Sequence, residues 1–280
     1  MAMRVCVLAS GSSGNCTYIG NGKTSVLLDA GLSARELSRR LDQIGVRIEE
    51  IHAVCLSHEH NDHTAGIRVL HRRHGIPVYA NSGTVHALQR DDRIAGVNWQ
   101  VFSTGSAFSI GDLSIEPFSV PHDAMDPVGF VVGSGGLRVG VVTDVGMPTT
   151  LLRERLSRCN VVVVESNHDE RLLESSKRPW YLKQRIKGRQ GHLSNNRAAE
   201  VLAGLAGPEL RHVFLAHISE ECNRHDLALR AAEEKLRHTG CHHVKVSLTY
   251  PDRISDIWEE VILPAPDALH PMPKTASCPA

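Results

Sequence analysis

LSHEHNDHTAG, residues 56–66, places His58, His60, Asp62 and His63 inside six positions. It follows the apolar run HAVCLS at 52–57 and precedes small residues that open a helix. Side chains two apart at the end of a strand point the same way, so His58 and His60 can grip one ion. Asp62 and His63 then turn with the chain toward a second position. Asp62 also has the position of a helix N-cap, a role that needs no metal. Imidazole and carboxylate donors without thiolate favour zinc, manganese or iron, and leave room for water in the coordination sphere.

Four donors in one loop rarely complete a shell, so the remaining donors are sought at the ends of other strands. His122 follows SIEPFSVP, Asp144 follows RVGVVT and His217 follows HVFLA. Each stands just after an apolar run, where a rigid sheet presents functional groups on its edge loops. His58, His60, His122 and Asp144 suit one ion. Asp62, His63, Asp144 and His217 suit a second, with Asp144 as the bridge. Asp29, closing TSVLLDAG, is expected to brace neighbouring loops rather than touch metal.

The rest of the chain is consistent with a soluble α/β protein. Apolar runs with turn signals recur at 4–9, 24–31, 52–57, 77–80, 114–120, 129–135, 137–146, 160–166, 212–217 and 243–248, and read as strands. Helical spacing appears at 33–45, 195–205 and 227–240. The segment 1–263 therefore reads as one domain, and the Pro-rich tail 264–280 as disordered. Lys plus Arg equals Asp plus Glu at 31 each, so no global basic field exists to hold nucleic acid. Seven scattered cysteines without a C-x-x-C pair exclude a disulfide scaffold and a thiolate zinc site; they are expected to be small buried hydrophobes. The absence of an 18-residue apolar run, and of a signal-peptide core in the opening residues, predicts a cytoplasmic protein without membrane contact.

SSKRPWYLKQRIKGRQG, residues 175–191, carries Lys177, Arg178, Lys183, Arg185, Lys187 and Arg189 with no acidic residue, and Trp180 and Tyr181 for stacking. In a neutral protein such a stretch is a candidate phosphate track, with Lys183, Arg185, Lys187 and Trp180 as its contacts. SGSSGN at 10–15 offers a second, weaker place for backbone N–H groups to meet a phosphate.

Taken together, ASGSSGNCTYI at 9–19, LLDAGLS at 27–33, the His-rich loop, PHDAMDPVGF at 121–130, TDVG at 143–146, ESNHDE at 165–170, LKQRIKGRQGHLSN at 182–195 and LAHIS at 215–219 resemble the metallo-β-lactamase fold, in its YycJ/WalJ-type branch. The resemblance spans about residues 4–250. It implies a four-layer αβ/βα sandwich with mixed sheets and a dinuclear site, whose ligand positions fall on the seven residues already chosen. It also implies an exonuclease-like phosphodiesterase. Glu165 and His192 are similar to a pair in ribonuclease Z-type enzymes, in which a Glu after a strand supports a His that opens a later helix. The resulting expectation is a phosphodiesterase with two divalent ions (zinc or manganese, with iron a third option) acting on nucleic acid, DNA favoured. Asp62, His192 and Glu165 would be catalytic. Two rivals share these residues: a small-molecule (cyclic phosphate) phosphodiesterase, and a non-catalytic nucleic-acid or regulatory binding module with structural metals.

Overall fold

The computed structural model describes residues 2–261. The tail 264–280 and Cys278 lie outside the described residues. Two seven-stranded sheets face each other. The first contains β1 (Ala2–Ala9), β2 (Cys16–Gly20), β3 (Ser25–Leu28), β4 (Ala53–Cys55), β5 (Val78–Asn81) and β6 (Trp99–Phe102) in that order. The second contains β7 (Phe108–Ile110), β8 (Leu113–Ser119), β9 (Val128–Ser134), β10 (Leu137–Val142), β11 (Val161–Glu165), β12 (His212–Ala216) and β13 (Lys245–Leu248). The chain then returns to the first sheet as β14 (Ile257–Val261), antiparallel to β1. Both sheets are mixed. Pairing is parallel from β3 to β6 and from β10 to β13, and antiparallel elsewhere.

The two-residue period of the strands builds the layers. Along β1, Met3, Val5 and Val7 fill the space between the sheets, together with Phe130, Val161 and Phe214. Cys6 and Leu8 point the other way, under α1 (Ala34–Gln43), α3 (Ile67–His74) and α4 (Ser82–Leu88), against Leu37, Leu41, Leu70 and Val85. On the second sheet, Val162, Val164, Val213 and Leu215 face outward under α5 (Thr150–Leu156), α8 (Asn195–Leu205) and α9 (His225–His238). Helix, sheet, sheet, helix is the four-layer order expected. Three short helices decorate the sheet edge: α2 (Asn61–Thr64), α6 (Glu170–Ser175) and α7 (Trp180–Lys187). The six described cysteines are all buried and unpaired. Among the described residues no helix is long and apolar enough to cross a membrane.

All ten expected strands form. Four more, β2, β6, β7 and β14, were not expected, nor were α3 to α7. Helix α1 starts as its sequence suggests: Ser33 Oγ accepts from Glu36 N at 3.3 Å, the capping half of an S-x-x-E box.

Candidate metal centre

The strands β3, β4, β8, β10, β11 and β12 end at one edge of the sandwich and deliver Asp29, His58, His122, Asp144, Glu165 and His217 there. Among the described residues, three non-glycine residues adopt left-handed backbone: Asp29 (φ 61°), Asp144 (φ 57°) and His217 (φ 53°). Each sits just past the end of a strand. That conformation is uncommon for residues with a Cβ and persists only where surrounding contacts enforce it, which is typical of functional edges. Here it turns each side chain back over the strand ends.

The seven sequence-chosen donors converge. His58 Nε2 lies 3.0 Å from His60 Nδ1, and His122 joins them with its ring 5.1 Å and 5.2 Å from theirs. In the second group, Asp62 Oδ2 is 3.5 Å from His63 Nε2 and 3.7 Å from His217 Nε2. Asp144 lies between the groups. Its Oδ2 is 3.1 Å from His63 Nε2, and its Oδ1 is 3.6 Å from His217 Nε2 and 3.8 Å from His122 Nε2.

Four of the imidazoles are held by one nitrogen so that the other faces this space, the pattern that fixes metal-binding histidines. His63 Nδ1 donates to Asp29 Oδ2 at 2.8 Å. Ser57 Oγ donates to the same oxygen and accepts from His58 Nδ1 at 2.9 Å. His122 Nδ1 donates to Gly191 O at 3.2 Å, and His217 Nδ1 to Glu165 Oε1 at 3.1 Å. Asp29 thus braces the loop, as expected.

A divalent cation fits this donor set. Asp144 Oδ2 and His217 Nε2 are buried without a hydrogen-bond partner, a costly state for polar atoms unless something else coordinates them. His58 Nε2 and His60 Nδ1 face each other at a distance where only one can carry a proton. The His and Asp clusters can bind metal ions.

Charge divides the two groups. Burial and the neighbouring His63 push His58 well below the usual histidine range, and burial also lowers His122. Burial opposes charge on His63 as well, but Asp29 and Asp144 outweigh it and hold His63 well above that range. His217 follows the same logic: burial is overcome by Asp144, Asp62 and Glu165, which lift it to about 10. Asp144 is held far below the carboxylate range, its burial overcome by His217 and His63.

Glu165 is fully buried and uses all of its acceptor capacity. Oε1 accepts from His192 Nδ1 at 2.8 Å as well as from His217. Oε2 accepts from Val145 N at 3.0 Å and Leu193 N at 2.9 Å. His192 is partly exposed, its ring stacked on His217 at 5.2 Å. Burial disfavours its charge, but Glu165 outweighs burial and raises its pKa above the usual value.

The basic stretch folds differently from a free cationic track. Acidic groups from other segments meet it: Arg185 Nε donates to Asp123 Oδ2 at 2.6 Å, Lys187 pairs with Glu174, and Arg178 with Glu221. Lys183 Nζ donates to the Glu174 carbonyl. These partners lie up to 62 residues away in sequence, so the local count of charges overstated the field. Trp180 and Tyr181 at the start of α7 are 75% and 70% exposed.

Several supporting residues escaped sequence reading. Asn15 Nδ2 reaches Asp62 Oδ2 at 3.2 Å and His63 Nε2 at 3.1 Å, while its own backbone N–H donates to Asp62 O. The loop at 10–15 therefore holds Asp62 in place; Ser10 Oγ also accepts from His217 N at 2.7 Å. Asn167 Nδ2 donates to His217 O at 2.9 Å. The one usable signal was glycine. A Cβ on Gly31 would stand 1.7 Å from Asp62 O, and one on Gly146 2.3 Å from Arg189 O, so only glycine lets these loops close on the site.

Comparison with known proteins agrees with this geometry. A model of the β-lactamase superfamily domain matches residues 24–218. A Bacillus anthracis protein named exodeoxyribonuclease YycJ is 34% identical over 241 residues, covering 86% of this chain and 91% of its own. Exodeoxyribonuclease WalJ of Streptococcus pneumoniae is 34% identical over 231 residues, covering 81% of this chain and 86% of its own. Among solved structures, the metallo-β-lactamase fold protein YhfI from Bacillus subtilis superposes with a TM-score of 0.71 at 17% identity, over 93% of this chain and all of that one. The chain belongs to the metallo-β-lactamase superfamily, and within it to the family of the YycJ and WalJ proteins.

Proposed function

We propose that this chain is a dinuclear metal-dependent phosphodiesterase acting on nucleic acid, a DNA exonuclease. The observation that carries it is the position of Asp144, between two donor groups and beside a Glu-held His192. The similarity to two proteins named exodeoxyribonucleases supports DNA as the substrate. His58, His60, His122 and Asp144 would hold one cation, and Asp62, His63, Asp144 and His217 the other. Zinc and manganese both suit this imidazole and carboxylate set. When bound, divalent cations there would supply Lewis acidity toward phosphate oxygens and water.

The protein's own groups do the rest. Asp62, pinned by Asn15, orients the attacking water and accepts its proton. Asp29 and Ser57 keep His63 and His58 in the tautomer that presents Nε2 to the site. His192, with Nδ1 donated to Glu165, turns its other nitrogen toward the phosphate and gives a hydrogen bond or proton to the departing oxygen. Trp180 and Tyr181 stack bases of the strand, and Lys183, Arg185 and Lys187 meet its phosphates in exchange for their present acidic and carbonyl partners. Trp180→Ala is expected to weaken single-stranded DNA binding by about 1–3 kcal/mol and to spare a small chromogenic phosphodiester. Equal losses on both substrates would favour a small-molecule phosphodiesterase.

A further inference from the structure

A cavity of about 730 Å³ opens behind His192, between α6, α7 and α8. Its volume lies within the roughly 300–1,000 Å³ that bound small molecules occupy. His168, Arg171, Lys187, Ser194 and Arg197 line it with His192. None of these has a role in holding the cations, yet the cavity shares a wall with the centre, since the His192 ring stands 5.3 Å from that of His122 and 5.2 Å from that of His217.

Its polar groups are not satisfied from within. His168 is only 2% exposed and makes no side-chain hydrogen bond among the described residues; its Nδ1 is shielded from solvent without a partner. Burial holds that ring to a pKa of about 4, so it is neutral, and Nε2 is the ring nitrogen that keeps surface through which a ligand can be met, as donor or acceptor according to the tautomer. The two acids of the lining are already engaged: Ser194 Oγ donates to Glu170 Oε1 at 2.8 Å, and Lys187 pairs with Glu174. Arg197 gives one N–H to Gly146 O at 3.1 Å, and the Arg171 guanidinium has no acceptor among the described residues. With Lys187 paired to Glu174, the lining keeps two guanidinium groups, Arg171 and Arg197, against the Glu170 carboxylate, plus one neutral imidazole. Planar guanidinium faces stack on nucleobases and their N–H groups take phosphate, while the imidazole meets a base edge or sugar hydroxyl.

We propose that this cavity receives the terminal nucleotide of the strand, with Arg171 and His168 as its recognition residues. A phosphodiester placed at the cations then sends one substituent past His192 into the cavity and the rest of the strand along α7. A space of one-nucleotide scale in that position would favour cutting from an end. The inference rests on the reading that phosphodiesters are cleaved at the cation centre.

The test is inhibition of bis(p-nitrophenyl) phosphate hydrolysis by the metal-loaded full chain, comparing deoxyadenosine monophosphate with inorganic phosphate. Wild type should bind the nucleotide about tenfold or more tightly than phosphate. Arg171→Ala and the charge reversal Arg171→Glu, both at an exposed helix position, should shrink that preference to about threefold or less. Equal inhibition in wild type, or an undiminished preference in both variants, overturns the assignment. Failure of the nuclease reading looks different: the small diester is cleaved and DNA strands are not, while the inhibition ratio still decides the cavity.

Discussion

Replacing Glu165 by glutamine changes one atom in a fully buried group, and the structure states what must follow. The native carboxylate accepts four hydrogen bonds, two from backbone N–H groups of Val145 and Leu193 and two from imidazole N–H groups of His192 and His217. The backbone donors cannot change, so the amide oxygen must face them. The new NH2 then confronts two Nδ1–H groups. Each lost charge-assisted bond is worth about 1.5–3 kcal/mol. The cheapest escape is for both rings to move their proton to Nε2, and for His217 that nitrogen is the one facing Asp62 and Asp144 in the donor cluster. Glu165→Gln is therefore expected to lower turnover by about 10²–10⁴ and to weaken cation binding by about 10–100-fold. His192→Ala should lose turnover on the same scale while keeping its cations. The assay is single-turnover cleavage with metal content measured on each variant. Because the two residues act as a unit, the double variant should be little worse than Glu165→Gln alone. Wild-type metal content and rate in Glu165→Gln would refute the reasoning, as would independent, multiplying effects of the two changes.

Gly31→Ala places a methyl group 1.7 Å from the Asp62 carbonyl and is expected to cost about 3 kcal/mol or more of stability; a denaturation midpoint equal to wild type would contradict the packing described. Proton competition should separate the two donor groups. His63 and His217 have raised pKa values in the protein alone, so they take up protons at higher pH than the depressed His58 and His122. As pH falls, a cation bound at Asp62, His63 and His217 would be lost first and one bound at His58, His60 and His122 later; elemental analysis after dialysis across pH 8 to 5 should show two separate steps, and simultaneous loss would count against this.

What could be read from sequence follows from how local each feature is. The buried parallel strands announce themselves, since VVVVE at 161–165 or HVFLA at 212–216 is apolar on both faces and ends abruptly in a polar group. That abrupt end is why Asp144 and His217 could be picked out before their neighbours were known. Strands β6 and β14 were missed because they are edge strands that leave half or more of their residues exposed. The partners of the donors were invisible for a different reason. Asn15, Ser57 and Asn167 are ordinary loop residues until folding brings them within 3.3 Å of an imidazole or carboxylate. The pairing of Arg185 with Asp123, and of Arg178 with Glu221, is likewise a product of tertiary structure.

Metal stoichiometry tests most directly whether Asp144 joins two cation sites. Elemental analysis of the purified chain after reconstitution and exhaustive dialysis should give two divalent ions per chain, with phosphodiesterase activity on every substrate. Asp144→Ala, assayed in parallel, should hold fewer than two and be inactive throughout. An Asp144→Ala variant that keeps both ions and full turnover would contradict the account.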